Sequence, residues 1–135
     1  MLDIGATNVE LVQRAYDLWN DGDMEAAKLM YAPDATMSTP PDWPDSITSG
    51  DRDEMFKRLA ENRALFESDR LLPERWIEVD NFVIVPTQWC GVPRGASAEL
   101  KVLVVPVFTV RGDLIVRLDW YSSVQDALDA AGLAE

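Results

Sequence analysis

The sequence predicts an α+β domain, with an antiparallel sheet curling over helices gathered near the N-terminus. Three observations carry this prediction. Helix signals crowd the first half of the chain, strand-like runs fill the second, and one long stretch is apolar on both faces. That stretch is Leu100–Ser122, LKVLVVPVFTVRGDLIVRLDWYS, which reads as two strands joined at Arg111-Gly112-Asp113. On the first strand Leu100, Val102, Val104, Pro106, Phe108 and Val110 share one face, and Leu103, Val105 and Val107 the other. A strand greasy on both faces needs cover on both, which predicts helices on one side and a partner on the other. On the second strand Leu114, Val116, Leu118, Trp120 and Ser122 alternate with Ile115, Arg117, Asp119 and Tyr121.

The helices are marked by their ends. Thr7 and Glu10 form a capping box ahead of a helix in which Val9, Val12, Tyr16 and Trp19 recur at helical spacing. Asn20-Asp21-Gly22 ends it, Gly22 suiting a left-handed cap. Asp23 caps a shorter helix, Met24–Tyr31, that stops before Pro33. Ala35–Thr39 reads as a short strand leading into Pro40-Pro41-Asp42-Trp43-Pro44-Asp45, too proline-rich for helix or central strand. Trp43, held between prolines, reads as a lid or as a packed loop. Asp51, with Glu54, opens a third helix running to Glu67, whose inward stripe is Met55, Phe56, Leu59 and Phe66. Asn62 and Arg63 fall in the gap of that stripe, as a snorkelling edge or as the polar end of a pocket. Strands follow at Glu74–Val79 and Phe82–Cys90, with Pro86 marking an edge or bulge. Gly91-Val92-Pro93-Arg94-Gly95 turns the chain toward Leu100, and Ser123–Leu133 is an Ala-rich helical tail.

Composition bounds the function. The 135 residues suit one domain spanning 1–135, without repeat or linker. A formal charge of -12, from 24 acidic and 12 basic residues, argues against nucleic acid or an anionic membrane as partner. The single cysteine, Cys90, allows no internal disulfide and suits a reducing cytoplasm. The opening MLDIGATNVE carries no leader signal, and no apolar run is long enough to span a bilayer. Histidine is absent, which excludes Ser-His-Asp and Cys-His catalysis and the usual zinc and iron ligand sets. With no Gly-rich phosphate loop either, no metal and no cofactor is expected.

Five stretches together resemble a known family. They are Trp19-Asn20-Asp21-Gly22-Asp23, Tyr31-Ala32-Pro33-Asp34-Ala35, Ser49-Gly50-Asp51, the run Phe108–Arg117, and Ala127–Leu133. They resemble the nuclear-transport-factor-2-like superfamily, in its SnoaL-like polyketide-cyclase branch. The resemblance implies a cone-shaped, curved antiparallel sheet wrapped around N-terminal helices, a cystatin-like barrel. It also implies a deep pocket between helices and sheet, and a homodimer through the sheet's outer face. Enzymes and non-enzymes share this fold, so activity stays open. The family's catalytic positions are not matched. The helix-one Tyr of ketosteroid isomerase falls on Ala15, its general-base Asp on Thr39 and its protonated Asp on Pro106. The last-strand Asp of limonene-epoxide hydrolase falls on Trp120, and its earlier Arg and Asp fall near Val85 and Thr87.

The same matching turns Leu118 and Trp120 inward with Val104 and Pro106, sets Met37 and Thr39 opposite, and adds Trp89 from the neighbouring strand. Trp19, Trp43 and Phe56 complete a mainly apolar lining. Arg117, Asp119 and Tyr121 then face outward, and a one-residue slip would bring Asp119 in. The expected ligand is a small apolar molecule, aromatic, terpenoid or polyketide-like. Arg63, Asn62 and Tyr16 are the candidate catalytic groups, orienting or polarising a carbonyl. Two alternatives stand beside this: a non-catalytic dimer with a filled cavity, and a carboxylate-based cyclase or epoxide hydrolase using Asp119.

Overall fold

The structure is a computed structural model describing residues 7–40, 43 and 48–132. The opening segment, Pro41, Asp42, Pro44, Asp45 and Leu133 lie outside the described residues. The elements run α1 (Asn8–Asn20), α2 (Met24–Lys28), β1 (Tyr31–Ser38), β2 (Thr48–Ser49), α3 (Arg52–Arg63), β3 (Phe66–Pro73) and β4 (Ile77–Val79). They continue with β5 (Phe82–Ile84), β6 (Thr87–Pro93), β7 (Leu100–Arg111), β8 (Leu114–Tyr121) and α4 (Val124–Ala130).

Caps set the helix starts. Thr7 Oγ1 accepts from Glu10 N while Thr7 N donates to the Glu10 carboxylate. Asp23, Asp51 and Ser123 each accept one first-turn amide at the head of α2, α3 and α4. Two helices end earlier than their periodicity suggests. Tyr31 pairs with Ile115 as the first residue of β1, and Phe66 opens β3, a strand the sequence does not announce. The expected strand Phe82–Cys90 is broken near Pro86, which has no amide to give a ladder. Val85 N instead donates to Pro106 O, and Pro86 O accepts from Glu74 N. Gly91, expected in a turn, sits within β6.

The strands join in the order β2-β1-β8-β7-β5-β4, with β6 pairing to the first half of β7 and β3 pairing to β6. The expected cone-shaped antiparallel barrel does not form. The sheet is open, not strongly curved, and contains a parallel pair, β1 with β8. Its end strands β2 and β4 span two and three residues, too few rungs to pair across and close a ring.

The second half of β7 is covered on both faces from within the chain, while Leu100, Val102 and Leu103 in its first half are exposed. Toward α1, α2 and α3 it sends Phe108 and Val110, into a core with Val12, Tyr16, Met55, Val83, Ile115 and Leu118. Val105 and Val107 point the other way, packing with Ile84 beneath Ala127 of α4. The tail helix thus covers part of the outer face, around Val105 and Val107.

One irregularity sets the facing of β8. Thr109 pairs with Arg117, but Val110 pairs with Ile115, so Val116 is an extra residue on β8. Ile115 and Leu118 both point into the helix-side core in consequence, although strict alternation would part them. Below the bulge, Met37, Leu118 and Phe108 lie on one rung and Ser38, Asp119 and Val107 on the next. Asp119 accepts from Ser38 Oγ on Oδ1 and from Arg117 Nε on Oδ2, both at 2.6 Å. It ties β1 to β8. Asp119→Ala is expected to lower urea-unfolding stability by about 1–2 kcal/mol, from the bonds lost. A variant as stable as its parent would remove that role.

Candidate functional site

Between the helices and the inner sheet face lies a cavity of about 280 Å³. Its walls follow from the rungs just described. Leu118 and Phe108 form one part, with Met37 beside them; Leu71, Trp89 and Val102 share a rung across β3, β6 and β7 and form another. From the helices come Ala15, Tyr16, Trp19, Phe56 and Leu59. Rings brace one another edge-on: Tyr16 against Trp76 at 5.2 Å, Tyr31 against Phe56 at 5.3 Å, and Phe66 against Trp89 at 4.9 Å.

Gly91 explains how Trp89 fits. A Cβ there would lie 2.5 Å from the Trp89 ring and 3.1 Å from Phe66, so the missing side chain is the space the indole occupies. Trp43 reaches the wall from between undescribed neighbours and donates from Nε1 to Ser122 Oγ at 2.8 Å.

Polar groups enter the wall at few places. Tyr16 and Thr87 meet at 2.6 Å, and Thr87 Oγ1 also lies 2.7 Å from Val85 O. The threonine has one proton, which that carbonyl takes, so Tyr16 is the donor to Thr87. Burial pushes the Tyr16 hydroxyl, and that of Tyr31, far above the usual tyrosine range, so both stay protonated. Arg63 Nε donates to Asp69 Oδ1 at 2.6 Å, its Nη1 lies 3.4 Å from Met24 Sδ, and its guanidinium sits 4.2 Å above the Trp19 ring. Asn62 lines the cavity from an exposed position. Among the described residues no cluster of three or more His, Cys, Asp or Glu could hold a metal.

Set against the sequence expectations, Trp19, Met37, Thr39, Trp43, Phe56, Trp89, Val104, Leu118 and Trp120 all reach this cavity, as do Arg63, Asn62 and Tyr16. Pro106 is fully buried on the rung of Trp120 but forms no part of the wall. Asp119 forms no part of it either. The sequence reading missed Asp69, because Leu65–Pro73 shows no clean alternation and Glu, Ser and Asp are poor strand formers. Thr87 enters the sequence reading only as a place near which a hydrolase residue falls, although a lone hydroxyl inside the apolar run FVIVPTQWC had to find a partner.

With this geometry in place, comparison decides the family. The sequence matches the SnoaL-like domain family over residues 12–118. This chain is a SnoaL-like domain. Among solved structures, the domain is similar to a nuclear-transport-factor-2-like protein from Burkholderia thailandensis, with a TM-score of 0.78, 17% identity, and coverage of 97% of this chain and 100% of that one. A protein of ketosteroid isomerase-like fold from Catenulispora acidiphila, in complex with trimethylamine, has a TM-score of 0.76 at 20% identity, covering 95% and 96%. TerC co-crystallised with polyporic acid has a TM-score of 0.75 at 18% identity, covering 90% and 95%. No curated protein matches the SnoaL-like domain described here.

The two protonated tyrosines give the domain a pH signature. The usual tyrosine value is 10.0 and the folded value lies above it, so the folded state binds more protons above pH 10.0. Stability is therefore complete below that pH and falls as pH rises through and beyond it. Titration followed by the tyrosinate ultraviolet band should show two of the three tyrosines ionising only with unfolding. Ionisation of all three in a folded protein would contradict the burial of Tyr16 and Tyr31.

Proposed function

We propose that this SnoaL-like domain binds a small, mainly apolar molecule of one or two fused rings. The observation that carries the reading is the cavity of about 280 Å³ walled chiefly by aromatic and aliphatic side chains. A dry cavity of about 150 Å³ takes benzene, so this volume suits about twice that body. Aromatic, terpenoid and polyketide-like compounds fall in this class. Solved relatives holding polyporic acid and trimethylamine share the fold, and so add only that the fold admits small ligands. The filled-cavity alternative sits poorly with the open volume, and the Asp119 alternative with that residue's place outside the wall.

Binding without proton transfer is the reading the wall chemistry supports. Tyr16 spends its proton on Thr87, Tyr31 keeps its own, and Asp69 is paired with Arg63. Arg63 acts as the orienting group, with Asn62 at the rim. A homodimer through the outer sheet face belongs to the same proposal. There Leu72 and Leu103, both exposed, share a rung with Gln88. Light scattering is expected to return twice the chain mass, and a monomer would remove the dimer alone. A cytoplasmic setting is proposed from the single, buried, free Cys90; no described helix is long and apolar enough to cross a membrane.

A thermal-shift series with naphthalene and similar apolar ring compounds tests the binding reading. Ligand at 100 times its Kd is expected to add about 2.7 kcal/mol of stability, seen as a higher Tm. No shift with any one- or two-ring apolar compound would sink the proposal.

A further inference from the structure

Resting on the reading of the cavity as a small-molecule pocket, we propose that its ligand is a neutral ring compound. That compound presents a hydrogen-bond acceptor and a donor side by side, and the Arg63–Asp69 pair reads both. The pair is joined through a single bond, Arg63 Nε to Asp69 Oδ1 at 2.6 Å, while Nη1 lies near Met24 Sδ. Arg63 Nη2 and Asp69 Oδ2 are left without a hydrogen bond to any described residue. Neither belongs with the sealed and unpartnered polar atoms, which are Trp19 Nε1, Ser49 Oγ and Arg52 Nε. Both residues line the cavity, and the proposal turns their two free positions toward its occupant. One can only donate and the other can only accept.

The two positions are fixed relative to each other. The Trp19 ring holds the guanidinium plane from below at 4.2 Å. Asp69 rides on β3, whose backbone is fastened to α1 two residues on. Asn20 Nδ2 donates to Leu71 O at 2.9 Å, and Asn20 Oδ1 accepts from Leu71 N at 2.8 Å. A ligand meets a preformed donor–acceptor edge and orders little on binding.

Charge then selects among ligands. The Asp69 side chain is 5% exposed, and among the described residues Arg63 is the cation paired with it. A carboxylate ligand would draw Arg63 away and leave Asp69 unpaired in a poorly solvated place, and a cation would do the converse. A neutral cis-amide, or an enol beside a carbonyl, satisfies Nη2 and Oδ2 together and disturbs neither. The ligand class is thus neutral lactams, hydroxy ketones and related ring compounds of naphthalene's size.

Three probes of nearly one shape test this by calorimetry on the full chain. Naphthalene offers no polar group, coumarin an acceptor only, and 2-quinolone the same acceptor with an adjacent N–H. All three are expected to bind, with 2-quinolone at least about tenfold tighter than coumarin, the worth of one hydrogen bond to a charged group. In a double variant, R63M with D69L, the preference for 2-quinolone over coumarin should vanish. Replacing both partners by apolar residues leaves no orphaned charge, and circular dichroism with a thermal melt reports that the fold survives. Equal binding of coumarin and 2-quinolone would overturn the inference and leave the apolar pocket standing. A preference that survives in the double variant would overturn it as well. Failure of all three probes to bind the parent chain would remove the pocket reading and this inference with it.

Discussion

The extra residue at Val116 decides what chemistry this domain presents. Below it, the β7–β8 ladder places Trp120 with Pro106 and Asp119 with Val107, so the indole faces the helices and the carboxylate faces away. Above it, Ile115 pairs with Val110 and enters the same core as Leu118. A strand without the bulge would have to turn either Ile115 or Leu118 to the wrong face, since side chains alternate strictly along an unbroken ladder. The inserted residue allows the two-sided burial of the second half of β7, the brace from Asp119 to Ser38 and the apolar wall at Leu118 to coexist. The sheet's outer face keeps its polar pair, and the cavity keeps its oil.

A second constraint fixes the polar end. Asn20 imitates a neighbouring strand, giving and taking one backbone bond at Leu71, so the edge strand β3 is held to the end of α1. Trp19, the preceding residue, then lies under Arg63, and Asp69 lies within reach of it. The short stretch Trp19-Asn20 therefore positions one edge of the cavity from both sides. In a chain of net charge -12, a single cation beside a nearly buried acid keeps that edge neutral. Neutrality matters more than strength there, because a lone carboxylate in such surroundings would be left poorly solvated and uncompensated.

How much of this the sequence discloses follows from which signals are local. The capping pairs Thr7 with Glu10 and Asp51 with Glu54 lie within four residues of each other, and they mark the true helix starts. The apolar alternation of β7 and its turn at Gly112 are equally local, and they hold. The end of α3 is a different matter. Phe66 continues the helical stripe perfectly well, and only its distant partner Pro93 makes it a strand residue. Gly91 looks like a turn residue until the Trp89 ring is seen lying in the place of its side chain. Open versus closed sheet was illegible for the same reason. Whether edges meet depends on the lengths of β2 and β4, and two or three residues leave almost no pattern.

The cavity itself poses the remaining physical question, which is why its walls stand apart. It opens to solvent at its rim, so part of its apolar wall stands in contact with water, a contact that collapse would remove. Yet the walls are poor material for collapse. Tyr16 is pinned by its bond to Thr87 and by rings on two sides, Trp76 and Phe108. Trp89 is wedged over Gly91 against Phe66, and Trp43 is tethered to Ser122. Rings braced edge-on cannot slide inward without breaking those contacts, and the β7–β8 rungs behind them do not yield by fractions of a register. A frame that rigid holds its opening whether or not anything fills it, so the free energy an apolar occupant gains on entering goes into affinity rather than into reshaping the walls.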